Sequence, residues 1–197
     1  MAAPEEILAF PLTAYLAVVG TDFPLIDDAP GDFDVAWEVL GTEGDLDYDD
    51  NGVTVSHAET TFDVTPAGST MPVKRFRTAE DLLTKLNLMD VSPEQYAKVM
   101  NNSAVTTVAA GSGIAGEKHF SLFRGDMVAS FAVLLRGVSP VDNTLNMQYE
   151  IPKAFVSVNG DVPYNKGVVT ILPIEIQMIR HSEADDPICR IQTAPAT

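Results

Sequence analysis

The sequence predicts a mainly β domain, a sandwich or barrel flanked by one short α-helix. Short apolar runs, several of them alternating or β-branched, recur along most of the 197 residues and are punctuated by Gly, Pro, Asn and Asp. Only one segment carries strong helix-start signals. Hydrophobic residues make up 46% of the chain, enough to bury a core in one domain with arms. The domain is placed at residues 14–180, with an N-terminal arm over 1–13 and a C-terminal arm over 181–197.

Ala14 to Val19 is an apolar run ended by Gly20, and residues 22–34 follow as a Pro-, Asp- and Gly-rich loop. From Phe33 to Leu40 the pattern alternates, with Phe33, Val35, Trp37 and Val39 on one face. Asn51-Gly52 is a tight-turn signal that leads into Val53, Val55, Phe62 and Val64. Pro66 to Pro72 is a loop within a long hairpin over about 60–78. Leu82 to Met89 fits a strand or a helix extension. The helix is expected over about 92–101, with Ser92 as cap, Pro93 first, Gln95 completing a capping box and Asn101-Asn102 ending it. Strand patterns resume at 104–110, 117–123, 127–138, 147–158 and 167–179; Pro173 in the last marks an edge or bulge.

Charge is divided along the chain. No Lys or Arg precedes Lys74, whereas 15 of the 28 acidic residues do. The first cations arrive bunched as Lys74, Arg75 and Arg77. A net charge of −16 opposes tight wrapping of DNA and attachment to an anionic membrane. It suits repulsion of a polyanion, or acid-to-base joining of copies. The single Cys189 cannot form an internal disulfide. Glu5 and Glu6 in place of basic residues, with Pro11 interrupting the apolar run, do not make a secretory signal, so synthesis is expected in the cytoplasm. The sequon Asn101-Asn102-Ser103 then has no glycosylation context.

Catalytic and metal motifs are weak. Asp47-x-Asp49-x-Asn51-Gly52 fits the opening of a calcium loop, but the closing position holds Ala58, with Glu59 one residue late, and the flanks read as strands. An acidic hairpin closed by Asn-Gly is the plainer reading. Gly111 to Gly116 spells G-x-G-x-x-G but leaves no room for a crossover helix, so a Gly-rich hairpin loop is expected. His57, His119 and His181 lack metal-site spacing, and Cys189 sits in a polar tail. Arg124-Gly125-Asp126 is read as a turn. No cofactor is expected and no catalytic set is supported.

Gly20-Thr21-Asp22-Phe23-Pro24, Trp37-Glu38-Val39-Leu40-Gly41 and Asn51 to Val55 together resemble the first third of the major tail tube proteins of long-tailed (siphovirus-type) bacteriophages. Gly68 to Thr78 resembles that family's long hairpin, and Ser92 to Met100 its flanking helix. Glu150 to Ala154 and Tyr164 to Gly167 resemble its last strands. The likeness is one of order and spacing over roughly 14–180. It implies a structural, non-enzymatic virion subunit, forming hexameric rings stacked around a tape-measure protein into a tube that conducts DNA. Tail-tip and tail-terminator proteins are the further partners it implies. Anionic walls suit such a conduit, since cationic ones would trap phosphates. Rings at −16 per copy repel one another, so apolar contact plus pairing of Lys74, Arg75 and Arg77 with Asp45, Asp47, Asp49 or Asp50 of another ring is the expected inter-ring contact. Residues 66–73 and the arms are expected to order on stacking. Readings that remain open are a calcium-dependent β-sandwich binding module, another phage structural protein (tail tip or capsid decoration), and a hydrolase using unrecognised carboxylates.

Overall fold

The computed structural model describes residues 10–29, 32–33, 36–100, 104–122, 125–142, 144–180 and 188–193. It is mainly β with one short helix. In chain order the elements are β1 (Thr13–Val18), β2 (Glu38–Val39), β3 (Thr54–Val64), β4 (Lys74–Leu88), α1 (Pro93–Val99), β5 (Thr106–Val108), β6 (Glu117–His119), β7 (Phe131–Val138), β8 (Asn146–Val158), β9 (Leu172–Met178) and β10 (Arg190–Gln192).

One antiparallel sheet runs β2-β1-β7-β8-β9-β4-β3, with β10 also paired to β8; β5 and β6 form a separate hairpin. The large sheet is curled. Ala14 and Leu16 of β1 share a buried cluster with Leu82, Leu86 and Leu88 of β4. Three strands separate β1 from β4, so a flat sheet would hold them about 19 Å apart at ~4.8 Å per strand. Burial alternates strictly along β9, whose Leu172, Ile174, Ile176 and Met178 all enter this core.

Tyr48 ties the two sides together. It forms a bridge with Leu88, accepts a hydrogen bond from the Ala14 amide (3.1 Å) and donates to the Leu40 carbonyl (2.8 Å). Burial, above all, pushes its phenol well above the ordinary value. α1 adds Val99, and the cap residue Met100, to the same core.

The sheet's outer face is covered over β1 and β7 by the loop after β1. Trp37, Ala17, Ala132 and Leu134 form a second apolar cluster, with Phe23 and Phe33 packed on it. Arg136, buried in β7, anchors that loop by donating from Nη2 to the carbonyls of Leu25 (2.9 Å) and Asp28 (2.6 Å). Gln148 and Asn146 of β8 likewise donate to the Pro24 and Ile26 carbonyls, each at 2.8 Å.

Several sequence expectations need correction. Within 33–40 only Glu38–Val39 is a strand, and residues 34–35 lie outside the described part. Trp37 instead turns onto the outer apolar cluster and donates from Nε1 to the Asp22 carbonyl at 3.0 Å. The ambiguous stretch at 82–89 is strand, the second half of β4, as far as Leu88. Pro173 lies neither at a sheet edge nor at a bulge. β9 is internal between β8 and β4, and the imide is tolerated one residue from the strand's end. The capping box is half made. Ser92 Oγ accepts from the Gln95 amide at 3.4 Å, but Gln95 is buried and its Oε1 accepts from Gly41 N at 3.1 Å. The Ser92 amide turns instead to Asp90 (3.0 Å). The helix end expected at Asn101-Asn102, the sequon there and Arg124 lie outside the described residues.

Candidate assembly surface

β3 pairs with β4 over the whole length of β3, from Thr54–Lys85 to Val64–Lys74. β9 stops supporting β4 at Leu83. Beyond that point the hairpin continues as a two-stranded ribbon, closed by the loop at 65–73. Its strand residues are exposed from Ser56 to Val64 and from Lys74 to Glu80.

Near the body, Leu82, Thr84 and Leu86 of β4 point into the core. The row that continues this face along the ribbon carries Glu59 with Glu80, Thr61 with Arg77, and Asp63 with Arg75. The opposite row carries Thr60 with Ala79, Phe62 with Phe76, and Val64 with Lys74. The polarity of the two faces therefore reverses on leaving the body. A β-bulge that leaves Thr78 unopposed assists the reversal, because it moves Phe76 off the row of Leu82. Thr78 Oγ1 donates to the Thr60 carbonyl at 3.0 Å and fixes the bulge.

On the charged face Arg75 grips Asp63 through both oxygens (2.5 and 2.8 Å). The Arg75 hydrogen bond holds the Asp63 carboxyl below its usual range. Arg77 binds Glu59 at 2.8 Å. Lys74 lies over the Phe76 ring, 4.6 Å from its centroid. On the apolar face Phe62 is 59% and Phe76 47% exposed. At the tip Met71 and Val73 are exposed as well.

The acidic candidates lie elsewhere and are used locally. Residues Gly44–Asp47 form a 3-10 turn rather than the arm of a hairpin. Asp45 accepts from Thr13 Oγ1 (2.8 Å), and Asp47 accepts from the Glu43 amide (2.7 Å). Asp49 accepts from the side chains of Asn51 and Asn87, both at 2.8 Å. Gly52, at φ +57°, closes the turn by donating to the Asp49 carbonyl (2.9 Å), as the Asn-Gly signal predicts. Asp50 is exposed. Arg75 pairs with Asp63, nine residues along β3 from Thr54, so roughly 30 Å of strand separates the basic cluster from this loop. Within one chain the two groups do not meet.

The Gly111–Gly116 segment is a hairpin tip between β5 and β6, with Gly111 and Ile114 exchanging backbone bonds of 3.0 and 3.2 Å. A Lys118–Glu94 ion pair and packing of Phe120 on Tyr96 (5.7 Å) moor this hairpin to α1. His57 lies on the ribbon, His119 on β6, and His181 outside the described residues. Among the described residues no group of three or more His, Cys, Asp or Glu is gathered as a metal ligand set. No described helix is long and apolar enough to cross a membrane.

Sequence reasoning missed the buried polar group beside β10. Arg190, inside the segment expected as an arm, lies opposite Glu150 in register and binds its buried carboxylate at 2.5 and 2.6 Å. Gln148 donates to the other Glu150 oxygen at 2.7 Å. Burial, then the Glu150 charge, pushes the adjacent Cys189 thiol up to about 11. The signal in sequence was faint: an acid at 150 in an otherwise strand-like run, and an arginine after Cys189.

Compared with known proteins, the chain matches no protein-family model and no curated protein sequence.

Proposed function

We propose that this chain is a structural subunit that associates with its own copies into stacked rings, forming a tube through which DNA passes. The observation that carries the reading is the reversed ribbon. Its apolar face continues the outer face of the sheet, so the chain's own core cannot cover it. Isolated two-stranded ribbons are marginal in water, and a solvent-facing Phe62–Phe76 pair adds a burial gain realised only on association. The ion pairs on the other face hold the two strands in register and leave the apolar face to make the contact. The net charge of −16 fits a wall past which a polyanion slides.

In this reading the ring number of six, the enclosed tape-measure protein, the tail-tip and tail-terminator partners and the place in a virion tail follow the tail tube resemblance. The subunit has no catalytic role. The test is electron microscopy and light scattering of the concentrated protein beside the variant Phe62→Ser/Phe76→Ser. Hollow tubes from the parent and folded, non-assembling subunits from the variant are expected. Tubes of normal length from the variant would sink the ribbon's role, and no assembly of the parent at any concentration would sink the tube.

A further inference from the structure

A second surface pair on this chain has matching chemistry. Between β1 and the segments at 33 and 37–45 lies an open groove of about 500 Å³. Tyr15, Phe33 and Trp37 line it, Tyr15 meeting Phe33 edge-on at 5.2 Å. Glu43 and Asp45 stand at its rim. The Glu43 carboxylate has no partner among the described residues, and Asp45 has accepted only the Thr13 hydroxyl. Aromatic walls with two acids at the mouth suit one ligand chemistry, an ammonium or guanidinium on an apolar stem.

Among the described residues, Lys166 offers an exposed cation to fill it. Arg75, Arg77, Lys85 and Arg190 are ion-paired, Arg136 is buried, Lys153 on β8 is only partly exposed, and Lys74 lies on Phe76. Lys166 is exposed with no acid or ring partner among the described residues. It sits at the apex of the β8–β9 loop. Gly167 takes φ +82° and the Val168 amide reaches back to the Asn165 carbonyl (3.4 Å), the backbone a type II turn requires. The flanking Tyr164, Val168 and Val169 are 74%, 58% and 63% exposed. A basic tip with an apolar collar thus complements an aromatic groove with an acidic rim, and one copy carries both.

We infer that the groove is a socket for the Tyr164–Val169 loop of a second copy, with Lys166 between Glu43 and Asp45. Such a contact is heterologous: each copy gives a loop to one neighbour and takes one from another, which closes a ring or extends a filament. The inference rests on the self-assembly reading but uses a surface separate from the ribbon.

A fluorescein-labelled peptide of residues 161–171 titrated with the full-length chain tests the socket directly. Saturable binding is expected, weakened about tenfold or more by Lys166→Glu in the peptide or Glu43→Lys in the protein. Combining the two swapped partners should restore affinity to within about threefold of the parent. Sedimentation velocity of the full chain with the same substitutions should show the same pattern. Both sites are exposed, and an unchanged far-ultraviolet circular dichroism spectrum and urea midpoint confirm folding. No peptide binding, or a swapped pair no better than the single changes, overturns the socket. Peptide binding with a chain that never assembles supports the socket and overturns the tube. Tubes undiminished in Glu43→Lys overturn the socket and leave the tube.

Discussion

Replacing Arg190 by Gln removes two of the three hydrogen bonds to the Glu150 carboxylate and leaves a charge in a site where that side chain is 3% exposed. Breaking a fully buried pair costs about 3–5 kcal/mol, whereas an exposed pair is worth about 0–1 kcal/mol. Arg190 is itself 64% exposed, so water can enter once it is gone, and the Gln148 bond stays. The expected loss therefore falls between the limits, about 2 kcal/mol, roughly a 30-fold change in the unfolding equilibrium. Glu150→Gln should cost less, about 1 kcal/mol, because the amide is neutral and can still accept from Arg190. In the double variant the losses should not add, and a coupling of about 1 kcal/mol or more is expected for directly opposed partners. Urea titration followed by Trp37, the only tryptophan, gives all four stabilities. Hydrogen exchange at residues 148–150 should rise in Arg190→Gln as β10 loosens. Additive single losses, or an Arg190→Gln stability within about 0.5 kcal/mol of the parent, would show that β10 is held by its strand pairing and not by this ion pair.

Thr84 is fully buried opposite Val55 and Ile176, and its hydroxyl has no partner among the described residues. Thr84→Val should raise stability by about 1 kcal/mol, read as a higher urea midpoint at unchanged m; a lower midpoint would reveal a hidden hydrogen bond. Glu175 is held below the ordinary carboxyl range by Lys85 (2.6 Å) and then by Asn159. A lowered folded pKa means fewer protons bound when folded, so the pair's contribution is complete above the unfolded value and is lost as pH falls through the folded one. Lys85→Met should therefore destabilise at pH 7 and flatten the fall in stability between about pH 5 and pH 3; parallel pH profiles for the two proteins would refute the linkage.

What the sequence made legible follows from locality. Strand periodicity, the Asn51-Gly52 turn and the Ser92-Pro93 helix start are written in neighbouring residues; the turn and the helix start form where expected, whereas the strands within 104–110, 117–123, 127–138 and 167–179 are shorter than their apolar runs. The Gly-rich motif resolves into a hairpin because a strand, not a helix, follows it. What failed depends on distant partners. Gln95 abandons its capping role because Gly41, 54 residues away, needs an acceptor. Trp37 leaves its strand pattern for an apolar surface made by β1 and β7. For the candidate site, the position of the basic cluster was legible and its partners were not. Asp63 and Glu59 become its neighbours only through the β3–β4 register, which includes a bulge that periodicity cannot show.

That register gives the charge division a physical meaning. An acidic segment followed after a short loop by a basic one is the order an antiparallel hairpin needs for cross-strand ion pairs. Asp63 and Glu59 precede the loop, and Arg75 and Arg77 return along it. Arg75 and Arg77 are thus engaged at home, on the face that continues the core, while Lys74 lies over Phe76 on the opposite row. Asp45, Asp47 and Asp49 are likewise occupied in shaping their own turn. Copies at −16 repel one another, and a contact between them must overcome that with apolar area and with cations not already paired. In the proposed assembly the exposed apolar row of Phe62 and Phe76 would meet the first requirement, and exposed Lys166 the second. Placing them on separate surfaces lets apolar burial act at one contact and charge pairing at another. A subunit so divided can meet neighbours in two directions, as a stacked ring requires.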